Sequence, residues 1–461
     1  MPSFKISPTI SWSAVNELTA GGATFVVTGF VQAPFESAQR ETCEAYRGLL
    51  SGGGTGHVRL WNMAFSISHR QGAALLPLLA ALAACSSGES SRPGFPRSEL
   101  TPVADAPFPY ATAQDVGLDP RRLWRFKERL YARVVARHLV GSEILVVKDG
   151  RIVLHQAMGW ADIDRRIPLE RNSIFPIASM TKPILGVAVL QLVEQGRIEL
   201  DAPVATYLPS FDNPRSGGIT IRQLLTHRSG FAQGAEPSGY ESSGSLRKAV
   251  DLLGATGPDF APGERFAYSG LNSDILGAVS ESAYGEPAER VLEQEMIGPL
   301  GLQDTHTSFD PAEPWAERVP SLYRSWSQGR WERHWNPLRP HESNGFSPAG
   351  RLYATAFDYA RFLQACVEGE LLADATIRLA LEDPAPDART TAPQRWYGMH
   401  WEVYAPPSAP DDLPAFGHRG ATGTVGMVIP HSDTIIIYLT NSQENDVVDE
   451  VIEESIELFA N

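Results

Sequence analysis

Ser179-Met180-Thr181-Lys182 pairs a hydroxyl and an amine three residues apart, a spacing that puts both on one helix face a turn from each other. The basic total of 39 contains five lysines (Lys5, Lys127, Lys148, Lys182 and Lys248), and the remaining 34 are arginine. A chain so biased uses arginine wherever plain positive charge suffices. Lys182 stands in an apolar run, with Ile174 to Ala178 before it and Ile184 to Val187 after. A desolvated lysine there can shed its proton and act as a base, which arginine cannot do. A serine beside such a base is the arrangement an activated nucleophile needs.

A blander reading makes Ser179 a helix N-cap and lets Lys182 snorkel to the surface. The other Ser-x-x-Lys match, Ser245-Leu246-Arg247-Lys248, fits that description better. It follows the polar run Glu241-Ser242-Ser243-Gly244, where Ser245 reads as an N-cap and Lys248 as a solvated charge.

Composition narrows the function classes. The chain has 461 residues, 43% hydrophobic and 20% charged, as in a globular enzyme of one large or two ordinary domains. A formal charge of −15 argues against nucleic acid as a partner. The three cysteines, Cys43, Cys85 and Cys366, form no disulfide framework, and the eleven histidines contain no His-Glu-x-x-His. Neither a metal nor another cofactor is expected, and no protein partner is inferred. No Gly-x-Ser-x-Gly elbow occurs.

Residues 63–84 read as a signal peptide: a short basic start from Met63, an apolar stretch from Ala73, then Leu82-Ala83-Ala84-Cys85. This ending resembles the lipobox of bacterial lipoproteins, which implies cleavage before Cys85 and lipidation of that cysteine. The expectation is a protein anchored at the bacterial cell envelope if translation starts at Met63, and a cytoplasmic one otherwise. Residues 1–62 then read as a non-native, disordered upstream extension, and 85–114 as a Ser/Gly/Pro-rich tether.

The elements that must position Ser179 follow. Asp119-Pro120 opens a helix continued by Leu123, Phe126, Leu130 and Val134. Glu143–Lys148 and Arg151–Leu154, joined by Asp149-Gly150, predict a hairpin. A long apolar helix carries Ser179 to about Glu194. Short helices separated by Pro/Gly-rich loops fill 201–345, with Ile221–Thr226, Asp274–Ala283 and Pro287–Ile297 among them. Thr355–Val367 predicts a helix, Tyr397–Tyr404, Thr424–Ile429 and Thr434–Leu439 predict strands, and Val447–Leu458 predicts a final helix. The fold class is therefore α+β. An antiparallel sheet takes strands from both ends of the chain (115–200 and 346–461), is flanked by helices, and receives a mostly helical inserted domain (201–345), with a cleft at the junction.

Two further segments join the Ser-Lys pair: Tyr268-Ser269-Gly270-Leu271-Asn272 in a loop before a helix, and His418-Arg419-Gly420-Ala421 at a terminal strand. In this order the motifs resemble the penicillin-recognising serine hydrolases, namely class C β-lactamases, DD-peptidases and family VIII carboxylesterases. Leu224–Gly230, Pro299–Thr305 and Asp358–Phe362 resemble the same family. The resemblance covers roughly 115–460 and implies a β-lactamase/transpeptidase-like fold. It implies Ser179 as the acylated nucleophile, with Lys182 and Tyr268 sharing the proton so that a phenolate-like Tyr268 serves as base. It also implies an oxyanion hole from the backbone N–H groups of Ser179 and Ala421, and substrate contacts from His418, Gly420 and Asn272. Gly420 would leave room for the acyl group. His227 reads as structural, and Arg419 as a surface charge or a contact for a substrate carboxylate.

The second motif departs from Tyr-x-Asn, which weakens the amide-cleaving readings, and His418 stands where lactamases carry lysine. The expected function is a carboxylesterase acting on short-chain esters, a small-molecule substrate. The alternatives are a D-alanyl-D-alanine carboxypeptidase or class C β-lactamase-like hydrolase, and a non-catalytic envelope lipoprotein that binds cell-wall peptide or glycan.

Overall fold

The computed structural model describes residues 12–20, 23–31, 95–98, 101–104, 106–234, 236–240, 242–327, 329–338, 346–382, 395–405, 412–443 and 446–459. Residues 1–93 and 94–461 are separate units. In the first, Trp12–Ala20 pairs antiparallel with Ala23–Val31, a hairpin where disorder was expected. The intervening Gly21-Gly22 is a dipeptide that favours two-residue connections, a signal the composition of the segment masked. Residues 63–84, expected to be a signal peptide, and Cys85 lie outside the described residues.

In the second unit, strands β1 (Gly141–Lys148), β2 (Arg151–Asp162), β3 (Ile167–Pro168), β4 (Trp396–Tyr397), β5 (Glu402–Ala405), β6 (Ala415–Gly420), β7 (Thr424–Ile429) and β8 (Thr434–Thr440) form one sheet. Its order is β4-β5-β6-β7-β8-β1-β2-β3, antiparallel throughout. The long pairing of β8 with β1, from Thr434 against Lys148 to Thr440 against Ser142, joins the two ends of the chain.

Both faces of the sheet are covered, so its central strands are apolar without alternation. Leu145, Val147, Ile435 and Ile437 enter one core, while their neighbours Ile144, Val146, Ile436 and Tyr438 enter the other. Helices α1 (Pro120–Val135) and α5 (Val447–Phe459) close the outer core. Asp119 caps α1 by accepting from Arg121 N at 2.8 Å, and Leu123, Phe126, Leu130 and Val134 face inward as their spacing predicts. The inner core holds α2 (Thr181–Glu194) and α4 (Ala356–Val367), with α3 (Gly270–Tyr284) of the insertion packed on α2. Helix α2 is buried on nearly every side from Thr181 to Leu192, because sheet and insertion enclose it.

Two expectations are corrected. The segment 85–114 is no free tether from residue 95 onward: Ser98 N donates to Ala157 O at 2.8 Å, Ile152 N donates to Pro109 O at 2.8 Å, and Phe108 is buried. These contacts satisfy the open side of β2. The insertion is not helical to its end either, since Leu322–Ser327 and Arg330–Trp335 form a hairpin whose first strand pairs in parallel with Ser442–Gln443. Leu322-Tyr323-Arg324-Ser325-Trp326-Ser327 does not alternate cleanly between apolar and polar residues, so the strand had no periodic signal. Similarly, Tyr397–Tyr404 is two strands, because His400 at φ +59° breaks the extended run.

Candidate active site

Ser179 sits in a 3-10 turn, Ala178–Met180, that leads directly into α2. The turn is over-determined by its neighbours. Ile177 N donates to Leu352 O at 3.0 Å, Tyr359 Oη donates to Met180 O at 3.0 Å, and Leu352 N donates to Thr181 Oγ1 at 3.3 Å. Ala178 is thereby held at φ +48°, a left-handed conformation rare for a residue with a side chain and one found where structure serves a site.

One turn on, Lys182 is 2% exposed, and its Nζ donates to Ser179 Oγ at 3.1 Å and to Ala349 O at 2.6 Å. Burial lowers its pKa from 10.5 to about 8, while the Asp274 and Glu402 carboxylates pull the other way. Tyr268 comes from the insertion, in the loop before α3, and its hydroxyl is hydrogen-bonded to Ser179. The three groups implied by the family resemblance therefore meet.

The electrostatics reverse one expectation. Burial raises the Tyr268 pKa far above that of a free phenol, and the hydrogen bond with Ser179 offsets only part of that. Lys182 Nζ lies 5.0 Å from the centre of the Tyr268 ring, over its face, so the cation also meets the π cloud. At rest the amine is the group poised to be neutral and basic, and the phenol stays protonated.

Strand β6 closes the other side. Thr422 Oγ1 donates to Pro176 O at 3.2 Å, and a Cβ on Gly420 would lie 2.5 Å from Ile177 O. Gly420 thus admits the backbone that precedes the nucleophile, and a side chain there would crowd Ile177 and Thr424. Ala421, between these two contacts, is exposed at the start of the turn that follows β6.

His418 and Asn272, expected to contact substrate, are both buried and bonded to other protein groups. His418 is 1% exposed, bonded through Nε2 to Tyr397 Oη at 3.0 Å and through Nδ1 to Arg419 O at 2.6 Å. Its pKa falls to about 4, chiefly through burial, so it is a neutral imidazole. Asn272 is fully buried, with Nδ2 on His227 Nδ1 at 2.8 Å and Oδ1 accepting from Ser229 Oγ. One residue earlier or later in the register would have aimed it elsewhere; on α3 its position is turned into the core. Arg419 is held by Glu402 at 2.8 Å and Asp449 at 3.0 Å, so two carboxylates already occupy its guanidinium. His227 is structural as expected, buried at φ +52° between Asn272 and Tyr397. Sequence reasoning missed Tyr397, Asp274 and the Ala349 carbonyl. Asp274 carried no clear signal, since its helix also holds Asn272, Ser273 and Glu281, and a backbone carbonyl carries no signal in residue type.

A comparison with known families matches the beta-lactamase model to residues 126–461. The chain belongs to the beta-lactamase family. Similar to it are Protein Rv1367c of Mycobacterium tuberculosis, 28% identical over 65% of this chain and 85% of that protein. Esterase EstB of Burkholderia gladioli is 37% identical over 40% of this chain and 50% of its own length. Among solved structures, EstCE1, described as a hydrolase with promiscuous acyltransferase activity, superposes with a TM-score of 0.63 at 22% identity, covering 73% of this chain and 98% of that one. That likeness shows the fold: a large antiparallel sheet flanked by helices, as expected.

Proposed function

We propose that the protein is a serine hydrolase that forms an acyl-enzyme on Ser179 and acts on short-chain carboxylic esters. The observation that carries this reading is the buried Lys182 amine on Ser179 Oγ at 3.1 Å. Neutral Lys182 accepts the hydroxyl proton as Ser179 Oγ bonds to the ester carbonyl carbon. The oxyanion forms beside the N–H groups of Ser179 and Ala421, and each such donor contributes about 3–4 kcal/mol to the transition state. The C–O bond to the alcohol then breaks, and the leaving oxygen takes the Tyr268 phenol proton, which Lys182 replenishes. Water reverses the sequence and frees the acid.

Ester over amide is favoured by the side chains. Asn272 spends its amide on His227 and so offers none to a substrate amide. His418 is buried and neutral, without the permanent charge that would hold the carboxylate of a β-lactam. Likeness to Esterase EstB agrees with this choice.

The test is a panel of p-nitrophenyl acetate and butyrate, nitrocefin and a D-Ala-D-Ala peptide, run on the protein and on Ser179→Ala. Ester hydrolysis lost in Ser179→Ala, with an acyl adduct on Ser179 by intact mass, supports the proposal. Faster peptide or nitrocefin turnover would replace it, and no turnover of any substrate would favour a binding protein. Export and lipid attachment through Cys85 belong to the same proposal. Mass analysis of the mature N-terminus should find a diacylglyceryl group on Cys85, and an unmodified, continuous 63–95 peptide would rule it out.

A further inference from the structure

We propose that Asp274 is a positioning residue for Lys182, acting through the loop Ser347-Pro348-Ala349-Gly350, whose Ala349 carbonyl it fixes against the lysine amine. This deepens the hydrolase reading and rests on it.

Asp274 lies on α3 and is 7% exposed. Two donors converge on its carboxylate. Tyr240 Oη donates to Oδ2 at 2.5 Å and Ser347 Oγ donates to Oδ1 at 2.8 Å. Ser347 Oγ in turn accepts from the backbone N–H of Ala349 at 3.3 Å, so the carboxylate holds the loop through its serine. The other side of the same Ala349 residue presents its carbonyl to Lys182 Nζ at 2.6 Å, the shorter of the two bonds that amine makes.

The loop has little freedom to move without the helix. A Cβ on Gly277 would lie 2.4 Å from Pro348 Cγ, so the helix carries no side chain where the proline presses on it. On its far side the loop meets the nucleophile turn, since a Cβ on Gly350 would lie 3.3 Å from the Ala178 carbonyl carbon. The loop is therefore wedged between α3 and residue 178, with a buried carboxylate as its anchor. A helix of the insertion thereby sets the position of a base on a helix of the sheet domain.

The arrangement couples position to charge. The Asp274 carboxylate favours the protonated form of Lys182, against the burial that disfavours it. Lys182 also faces Glu402, the Tyr268 ring, and the buried His227, His400 and His418. Asp274 faces Tyr240, with Arg351 and Glu236 near that phenol. All of these remain in the variants below.

The experiment follows the rate at which a fluorophosphonate labels Ser179 between pH 5 and 10, which reads serine reactivity without requiring the natural substrate. In the native protein the rate rises with pH as Lys182 loses its proton. Asp274→Asn keeps the shape and most hydrogen bonds but removes the negative charge, so the rise should move down by about 0.5–1 pH unit. Ser347→Ala keeps the charge and loosens the loop; it should slow labelling about 3–10-fold at every pH, leaving the rise in place. A folded Asp274→Asn whose profile superposes on the native one overturns the proposal. Should that variant fail to fold, Ser347→Ala decides: native labelling rates overturn the proposal and the uniform loss sustains it. A native protein that is labelled yet hydrolyses no ester leaves this inference intact while removing the esterase reading, whereas a native protein that is not labelled removes both.

Discussion

The hydroxyl of Tyr397 lies between two imidazoles, 3.2 Å from His227 Nε2 and 3.0 Å from His418 Nε2. The surrounding donors fix every proton in this chain. Asn272 Nδ2 and Ser269 N both donate to His227 Nδ1, at 2.8 and 3.3 Å, so the His227 proton is on Nε2 and points at Tyr397. Tyr397 accepts it and donates to His418 Nε2, and His418 Nδ1–H donates to Arg419 O at 2.6 Å. One direction of donation runs from the loop before α3 to strand β6, and it requires both histidines to be neutral. Burial supplies that condition by lowering both pKa values.

Tyr397→Phe would leave a buried N–H on His227 and a buried lone pair on His418 without partners. Each such group costs about 1–3 kcal/mol, so the expected destabilisation is on the order of 2–4 kcal/mol. Urea unfolding at pH 7.5 measures it. A change below about 0.5 kcal/mol would show that the bond chain contributes nothing to holding β6 in place.

Lys182 sets the pH dependence of acylation. The neutral amine is the reactive form and its pKa is about 8, so kcat/KM should climb as pH rises through that value. Lys182→Arg keeps a cation that cannot deprotonate, and should lose about 10²–10⁴-fold at all pH values. Stability has its own sign. The folded pKa lies below the unfolded 10.5, so the unfolded chain binds more protons between about 8 and 10.5 and stability from this group rises with pH there. Below pH 8 the cost of burying the cation is present in full. Lys182→Met should therefore be inactive yet more stable than the native protein at pH 7, by roughly 1–3 kcal/mol after the lost hydrogen bonds are allowed for. A less stable Lys182→Met would mean that the amine is not held against its hydration in the native state.

How far residue types alone reached is clearest at this site. Lys182 was legible because an arginine-rich chain placed a lysine in an apolar run, and Tyr268 because the order of motifs resembles a known family. The sheet was legible too: Asp149-Gly150 between two apolar runs marks the β1–β2 hairpin, and the apolar run at 434–439 supplies a strand from the other end of the chain, which pairs with β1. The burial of His418 and Asn272 was not legible in the sequence. Residue type says that a group can bind a substrate, whereas the direction it faces depends on α3 and β6 being packed against each other through Tyr397, a contact 21 residues distant from His418 and absent from any local pattern. The close approach of Ile177 to Gly420 was not legible either, because tertiary packing brings that carbonyl there.

Tyr268→Phe separates the acid role of the phenol from a structural one. An alkyl alkoxide needs a proton to leave, whereas p-nitrophenolate does not. Loss of the hydroxyl should therefore lower kcat/KM for ethyl butyrate about 10²–10³-fold and that for p-nitrophenyl butyrate by about tenfold or less. Equal losses on the two esters would assign Tyr268 to holding Ser179 rather than to proton delivery.

Gly420→Ala tests what the third motif is for. An added methyl would meet Thr424 Oγ1 at 2.3 Å and Ile177 O at 2.5 Å. The threonine hydroxyl can rotate away. The Ile177 carbonyl cannot, because Ile177 N is bonded to Leu352 O and the next residue is the constrained Ala178. Strand β6 must then retreat from the nucleophile turn, carrying Ala421 with it. The expected cost is about 1–3 kcal/mol of stability. Acylation should slow by at least about tenfold as the oxyanion donor recedes. If the glycine instead made room for the acyl group, the loss would grow with acyl length. A backbone clash predicts the same fold-loss for p-nitrophenyl acetate and butyrate, and a butyrate loss several times the acetate loss would return Gly420 to the substrate pocket.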